Sequence, residues 1–81
     1  MFHLIKNKNR KEQEMKPEIM LQNTSKGLMA HFFDKKGNPD PDIIELFGTP
    51  ILPTPYLGVD SMPEAVRQIK KLNPDYIVSS V

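Results

Sequence analysis

The segment "DKKGNPDPDIIE", residues 34 to 45, gathers Asp34, Asn38, Asp40, Asp42 and Glu45, oxygen ligands of the type that Ca²⁺ prefers. A calcium loop of the EF-hand kind needs ligands at positions 1, 3 and 5, a glycine at position 6 and a bidentate glutamate at position 12. With Asn38, Asp40 and Asp42 in the first three places, Ile43 falls where the glycine belongs and Thr49 where the glutamate belongs. The spacing therefore describes a turn leading into a helix cap, and no metal site is expected. His31 with Asp34 is the other arrangement that could do chemistry, as a base and its orienting carboxylate. Three residues apart on a strand, the two project to opposite faces, and no serine nucleophile accompanies them. The chain has no cysteine, which removes thiolate nucleophiles, thiolate metal sites, disulfides and CxxC redox chemistry. No catalysis and no cofactor are expected.

Charge offers a second kind of chemistry. Residues 1 to 16 carry Lys6, Lys8, Arg10, Lys11 and Lys16 against Glu12 and Glu14, a balance of +3, while the remainder sets six basic residues against eight acidic ones, a balance of −2. A basic, Asn- and Lys-rich stretch ahead of a weakly acidic body reads as a disordered, flexible N-terminal arm (residues 1–16) preceding a single domain (17–81). Such an arm can touch phosphates, and an association with nucleic acid through Lys6, Lys8, Arg10, Lys11 and Lys16, extended by Arg67, Lys70 and Lys71, is the alternative function. Three net charges are a small electrostatic footprint for that purpose, and a solvated tail is the preferred reading.

Apolar binding is the third possibility. "GTPILPTPYLG", residues 48 to 58, places Pro50, Pro53 and Pro55 among Ile51, Leu52, Tyr56 and Leu57. Each proline restricts itself and its predecessor to extended conformations, so the segment spans distance at low cost in chain entropy. The Pro50 to Pro53 spacing is that of a P-x-x-P ligand for an aromatic-lined groove, but those ligands occur in polar, exposed sequence. This stretch is apolar and reads as a strap across the domain, with Pro53, Pro55, Tyr56 and Leu57 available to a partner.

The elements that position these residues follow from pattern. "EIMLQN" and "LMAHFFD" are short apolar runs joined by "TSKG", a hairpin signal in which Gly27 supplies a positive φ. Period-2 alternation puts Leu28, Ala30 and Phe32 on the core face and Met29, His31 and Phe33 on the other. Asp40 is the expected N-cap of a short helix, "PDIIELF", with Pro41 at its first position and Gly48 just past its end; Ile43, Ile44 and Phe47 are expected to point inward. "SMPEAVRQIKKL" predicts a longer helix with a Ser61–Glu64 capping box and a stripe of Met62, Val66, Ile69 and Leu72. Asn73-Pro74 ends it, and "YIVSSV" is β-rich.

The fold class is thus α+β: a three-stranded antiparallel sheet with two helices on one face, in the order β-β-α-α-β. No apolar run approaches the roughly 20 residues of a membrane helix, and no signal peptide is recognisable, so a cytoplasmic protein without a membrane partner is expected. From residue 17 onward, 26 of 65 residues are hydrophobic, more than one face of so small a sheet readily hides. That excess points to a small protein-interaction module whose surface combines Met29, His31 and Phe33 with Pro53, Pro55, Tyr56 and Leu57. The partner is an unidentified protein or a second copy, the latter through edge pairing of residues 76 to 81.

Overall fold

A hairpin between residues 18 and 33 organises the domain, and a computed structural model describes it together with the rest of residues 16–81. Strands β1 (Glu18–Thr24) and β2 (Gly27–Phe33) pair antiparallel from Glu18 opposite Phe33 to Thr24 opposite Gly27. The turn closes because the Thr24 hydroxyl accepts from the Lys26 amide (3.1 Å) and donates to the Gly27 carbonyl (2.8 Å). Gly27 takes a φ of 110°, and a Cβ there would stand 2.9 Å from Leu57 Cδ2. The backbone angle demands glycine, whereas the exposed Leu57 side chain could swing aside from an added methyl. Gly27→Ala is expected to cost about 1–3 kcal/mol, the scale of a side chain forced into a sparsely populated backbone region, and a melting curve beside the parent chain measures it.

Two further strands complete a sheet of order β3-β2-β1-β4. Strand β3 (Ile51–Pro53) lies inside the proline segment and pairs antiparallel with β2; β4 (Ile77–Ser80) pairs parallel with β1. The three-stranded antiparallel expectation is therefore corrected to a four-stranded mixed sheet. Topology explains the parallel pair. The helix between β3 and β4 returns the chain to the end from which β3 began, so β4 runs with β3, against β2, and hence alongside β1 in the same sense.

Helix α1 (Pro41–Phe47) sits between β2 and β3, and α2 (Met62–Leu72) follows a short 3₁₀ turn over Val59–Ser61. Of the two helices among the described residues, only α2 supplies a buried side chain to the core. Ala65 is fully buried with Ile19, Leu21, Leu28 and Ala30, and Phe32, Tyr56, Met62, Val66, Ile69, Tyr76 and Val78 pack around them. The small residue is what lets the helix approach the sheet. Leu72 leaves the predicted stripe and is exposed. The capping box does not form: Ser61 has helical backbone angles, and its hydroxyl donates instead to the Leu57 carbonyl at 2.7 Å.

Helix α1 is held by its ends. The Asp40 carboxylate accepts from the Asp42 amide at 2.9 Å, and Gly48, at a φ of 79°, donates its amide to the Ile44 carbonyl at 2.7 Å. It has no buried residue; Ile43 is half-buried, while Ile44 and Phe47 are exposed. The expectation that all three point inward is corrected for Ile44 and Phe47. Positions 43, 44 and 47 lie within one arc of about 100° on the helix, so the exposure of Ile44 and Phe47 reflects a helix that packs little of its surface on the sheet, with no buried residue of its own.

Candidate interaction surface

The register of the sheet assigns its second face residue by residue. Side chains opposite one another share a face, so three rows cross it: Ile77, Glu18 and Phe33; Ser79, Met20, His31 and Ile51; and Gln22, Met29 and Pro53. Alternation along β1 and β2 turns all of these away from Ile19, Leu21, Leu28 and Ala30. Helix α2 covers the core face. Among the described residues no helix packs over the other, and its central members Met20, Met29, His31 and Phe33 are half-buried.

The face is graded. At the β4 side, the Ser79 hydroxyl donates to Glu18 Oε2 at 2.7 Å, a satisfied polar pair beside the exposed Ile77. Toward β3 it becomes mainly apolar, with Met20, Met29, Phe33 and Ile51 around the imidazole of His31. There it dips into a hollow of about 120 Å³ bounded by His31, Phe32, Phe33, Pro39, Pro50 and Ile51, somewhat smaller than the roughly 150 Å³ void that binds benzene in a protein core. A single partner side chain matches that volume.

The proline segment joins this surface without behaving as a plain strap. Pro53 stands opposite Met29 and Ile51 opposite His31, so β3 extends the outer face by one strand. The chain is then pinned to β2: Thr54 donates its amide (3.0 Å) and its hydroxyl (2.8 Å) to the Leu28 carbonyl, and the Leu28 amide donates to the Tyr56 carbonyl (3.2 Å). Tyr56 packs against the core, whereas Leu57, 72% exposed, and Pro55 face solvent. Met29, His31, Phe33 and Pro53 thus come together on one face, while Tyr56 and Leu57 lie past the end of β3.

Sequence reasoning missed Met20, Ile51 and Ile77 as members of the face, and Leu46 and Phe47 as exposed apolar residues on α1 (74% and 58%). Met20 alternates with the core residues Ile19 and Leu21 and was legible from the same period as Met29. Ile51 and Ile77 depend on long-range pairing.

The remaining candidates have other tasks. Asp34 Oδ1 accepts the amides of Lys36 and Asn38, both at 2.9 Å, so it shapes the turn, and Asp40 caps α1. Lys16 is exposed; Lys6, Lys8, Arg10 and Lys11 lie outside the described residues. On α2, Arg67 is ion-paired with Glu64, and Lys70 and Lys71 are exposed in the last turn.

Tyr76 meets Phe32 edge-on, with ring centroids 6.4 Å apart at 87°. Burial pushes its phenol above the ordinary value of 10.0, and the nearby carboxylates of Asp40 and Asp42 push in the same direction. The folded state therefore holds this proton more tightly than the unfolded chain does. Its stabilising contribution is complete below pH of about 10 and is lost as pH rises through the folded pKa. Thermal melts between pH 9 and 11.5 are expected to show a steeper alkaline loss for the parent chain than for Tyr76→Phe.

No helix among the described residues is long and apolar enough to cross a membrane. Fold and surface together define a small α+β domain with one sheet face covered by its own helix and the other bare among the described residues. No family model, curated protein or solved structure matches the chain.

Proposed function

We propose that this protein is an interaction module that binds another protein through the outer face of its sheet, without catalysis. The observation that carries the reading is the contiguous apolar patch of Met20, Met29, His31, Phe33 and Ile51, which α2 leaves uncovered and which opens into a hollow sized for one side chain. Apolar area of this kind, rimmed by polar groups such as Glu18 and Gln22, is the usual signature of a protein contact site. Leu57 and Pro55 extend the contact beyond the end of β3. The partner is expected to insert an aliphatic or aromatic side chain between Phe33 and Ile51.

Met29→Asp tests the patch. Its side chain is not part of the core, so the variant is expected to melt within a few degrees of the parent, as surface substitutions do, yet to lose at least tenfold in capture of a partner from native lysate, because a buried unpaired carboxylate opposes docking. Lys70→Asp, on the helix side, is expected to leave capture unchanged. Equal capture by the parent and Met29→Asp would remove the outer face from consideration.

A further inference from the structure

The two edges of the sheet differ in their capacity to accept another strand, and the difference is built from proline. Along β3, the residues whose backbone groups face β2 are 50, 52 and 54, as the Phe32 amide donating to the Pro50 carbonyl and the Thr54 amide donating to the Leu28 carbonyl show. Ile51, Pro53 and Pro55 therefore face the open edge. The Ile51 amide donates to the Thr49 hydroxyl at 3.2 Å, and prolines have no amide hydrogen. That edge offers no free donor.

Strand β4 is the reverse. The amides of Ile77 and Val81 donate to the carbonyls of Pro17 and Leu21, both at 2.9 Å, so alternation turns the N–H and C=O of Val78 and Ser80 to the open side. Residues 76 to 81 contain no proline and no charged side chain, and among the described residues no further strand pairs with this edge. Exposed apolar side chains flank it, with Ile77 and Val81 on the outer face and Leu72 five residues before the strand.

We infer that the β4 edge is a self-association site, at which β4 pairs antiparallel with β4 of a second copy about a two-fold axis through Ser79. In that register the Val78 and Ser80 amides and carbonyls of one copy exchange hydrogen bonds with Ser80 and Val78 of the other, and Ile77 comes opposite Val81 of the second copy on the outer face. Every exposed group at the edge finds a counterpart in an identical chain, and no like charges meet. The product is an eight-stranded sheet whose two outermost strands are both β3. Since each of those edges is closed by proline, assembly stops at two copies, which distinguishes this contact from open-ended aggregation. A strand from an unrelated protein would lack this closure. The inference goes beyond the outer-face reading and uses a different surface.

Analytical ultracentrifugation of the full chain across micromolar to millimolar concentration tests it. The parent is expected to move from 9.3 kDa toward twice that mass without larger species. Ser80→Pro removes an outward amide that makes no bond within the subunit, and is expected to raise the dissociation constant about tenfold or more, since it deletes two hydrogen bonds per dimer. Ser79→Lys and Ser79→Glu each place like charges at the axis; each is expected to be monomeric alone, and an equimolar mixture is expected to dimerise again. The inference is overturned if the parent stays at 9.3 kDa at millimolar concentration, if Ser80→Pro and both Ser79 variants dimerise like the parent, or if Met29→Asp rather than the edge variants abolishes the dimer. A strand peptide from another protein binding the β4 edge while the parent stays monomeric also overturns it.

Discussion

Leu21→Ala is expected to unfold a large fraction of the protein near room temperature. Leu21 is fully buried at the centre of β1, opposite Ala30 and beneath α2. Truncating such a leucine costs about 2–5 kcal/mol, the transfer energy of the lost methyl groups plus the cavity left behind. At roughly 0.05–0.15 kcal/mol per residue, a domain of this size has only about 3–10 kcal/mol to lose. The structure relaxes little into the space, because β1 is bonded on both sides and Ala65, which packs in the same cluster, has only a methyl group to offer. Urea titration followed by circular dichroism gives the measurement: the midpoint is expected to fall sharply, with the slope unchanged if the variant still folds in one step.

The second large effect is at Ala65. Replacing it with aspartate puts a carboxylate at a fully buried position facing Ile19, Leu21 and Leu28, with no cation among the residues that pack there. An uncompensated buried charge costs about 3–5 kcal/mol, comparable to everything the domain has. Because burial raises a carboxyl pKa, the folded state takes up a proton more readily than the unfolded one. The damage is therefore smallest below pH of about 4 and grows as pH rises through the folded pKa. Ala65→Asp is expected to melt at higher temperature at pH 4 than at pH 7 when each is referred to the parent at the same pH. Ala65→Gly is expected to lose about 2 kcal/mol, of which about 1 kcal/mol is helix propensity and about 0.8 kcal/mol the buried methyl removed, well short of the aspartate variant.

Leu21 lies in an apolar run that period-2 alternation could place in the core, whereas nothing in the sequence marked Ala65. The hairpin, its glycine and the core face of β2 are local patterns, readable because period-2 alternation and the "TSKG" turn lie within a few residues of each other. The ends of α1 were equally local, since Asp40 and Gly48 act on backbone groups one turn away. What pattern could not supply was pairing at long range. Strand β3 was hidden by prolines, which argue against a strand unless their missing amides face away from the neighbour, as at Pro53. That condition is a property of the sheet, not of the segment. The parallel partner of β4 depended on where α2 returns the chain. Ala65 escaped the apolar stripe because its role is to be small, and the Ser61 box failed because the preceding 3₁₀ turn drew the hydroxyl to Leu57. The outer face was half legible: Met29, His31 and Phe33 follow from alternation in β2, whereas Ile51 and Ile77 join only once the strands are ordered.

The two faces and two edges of the sheet differ accordingly among the described residues. Helix α2 closes one face, proline closes one edge, and the outer face and the β4 edge are left with apolar side chains and free backbone groups. A photo-crosslinking residue placed at His31, at the middle of the outer face, and in a parallel chain at Lys70, on the helix side, would report in native lysate which surface is occupied. Discrete protein adducts from position 31 that disappear when Met29→Asp is added, with none from position 70, are expected if the outer face is the contact surface. Adducts from position 70 alone, or nucleic acid in place of protein at either position, would contradict it.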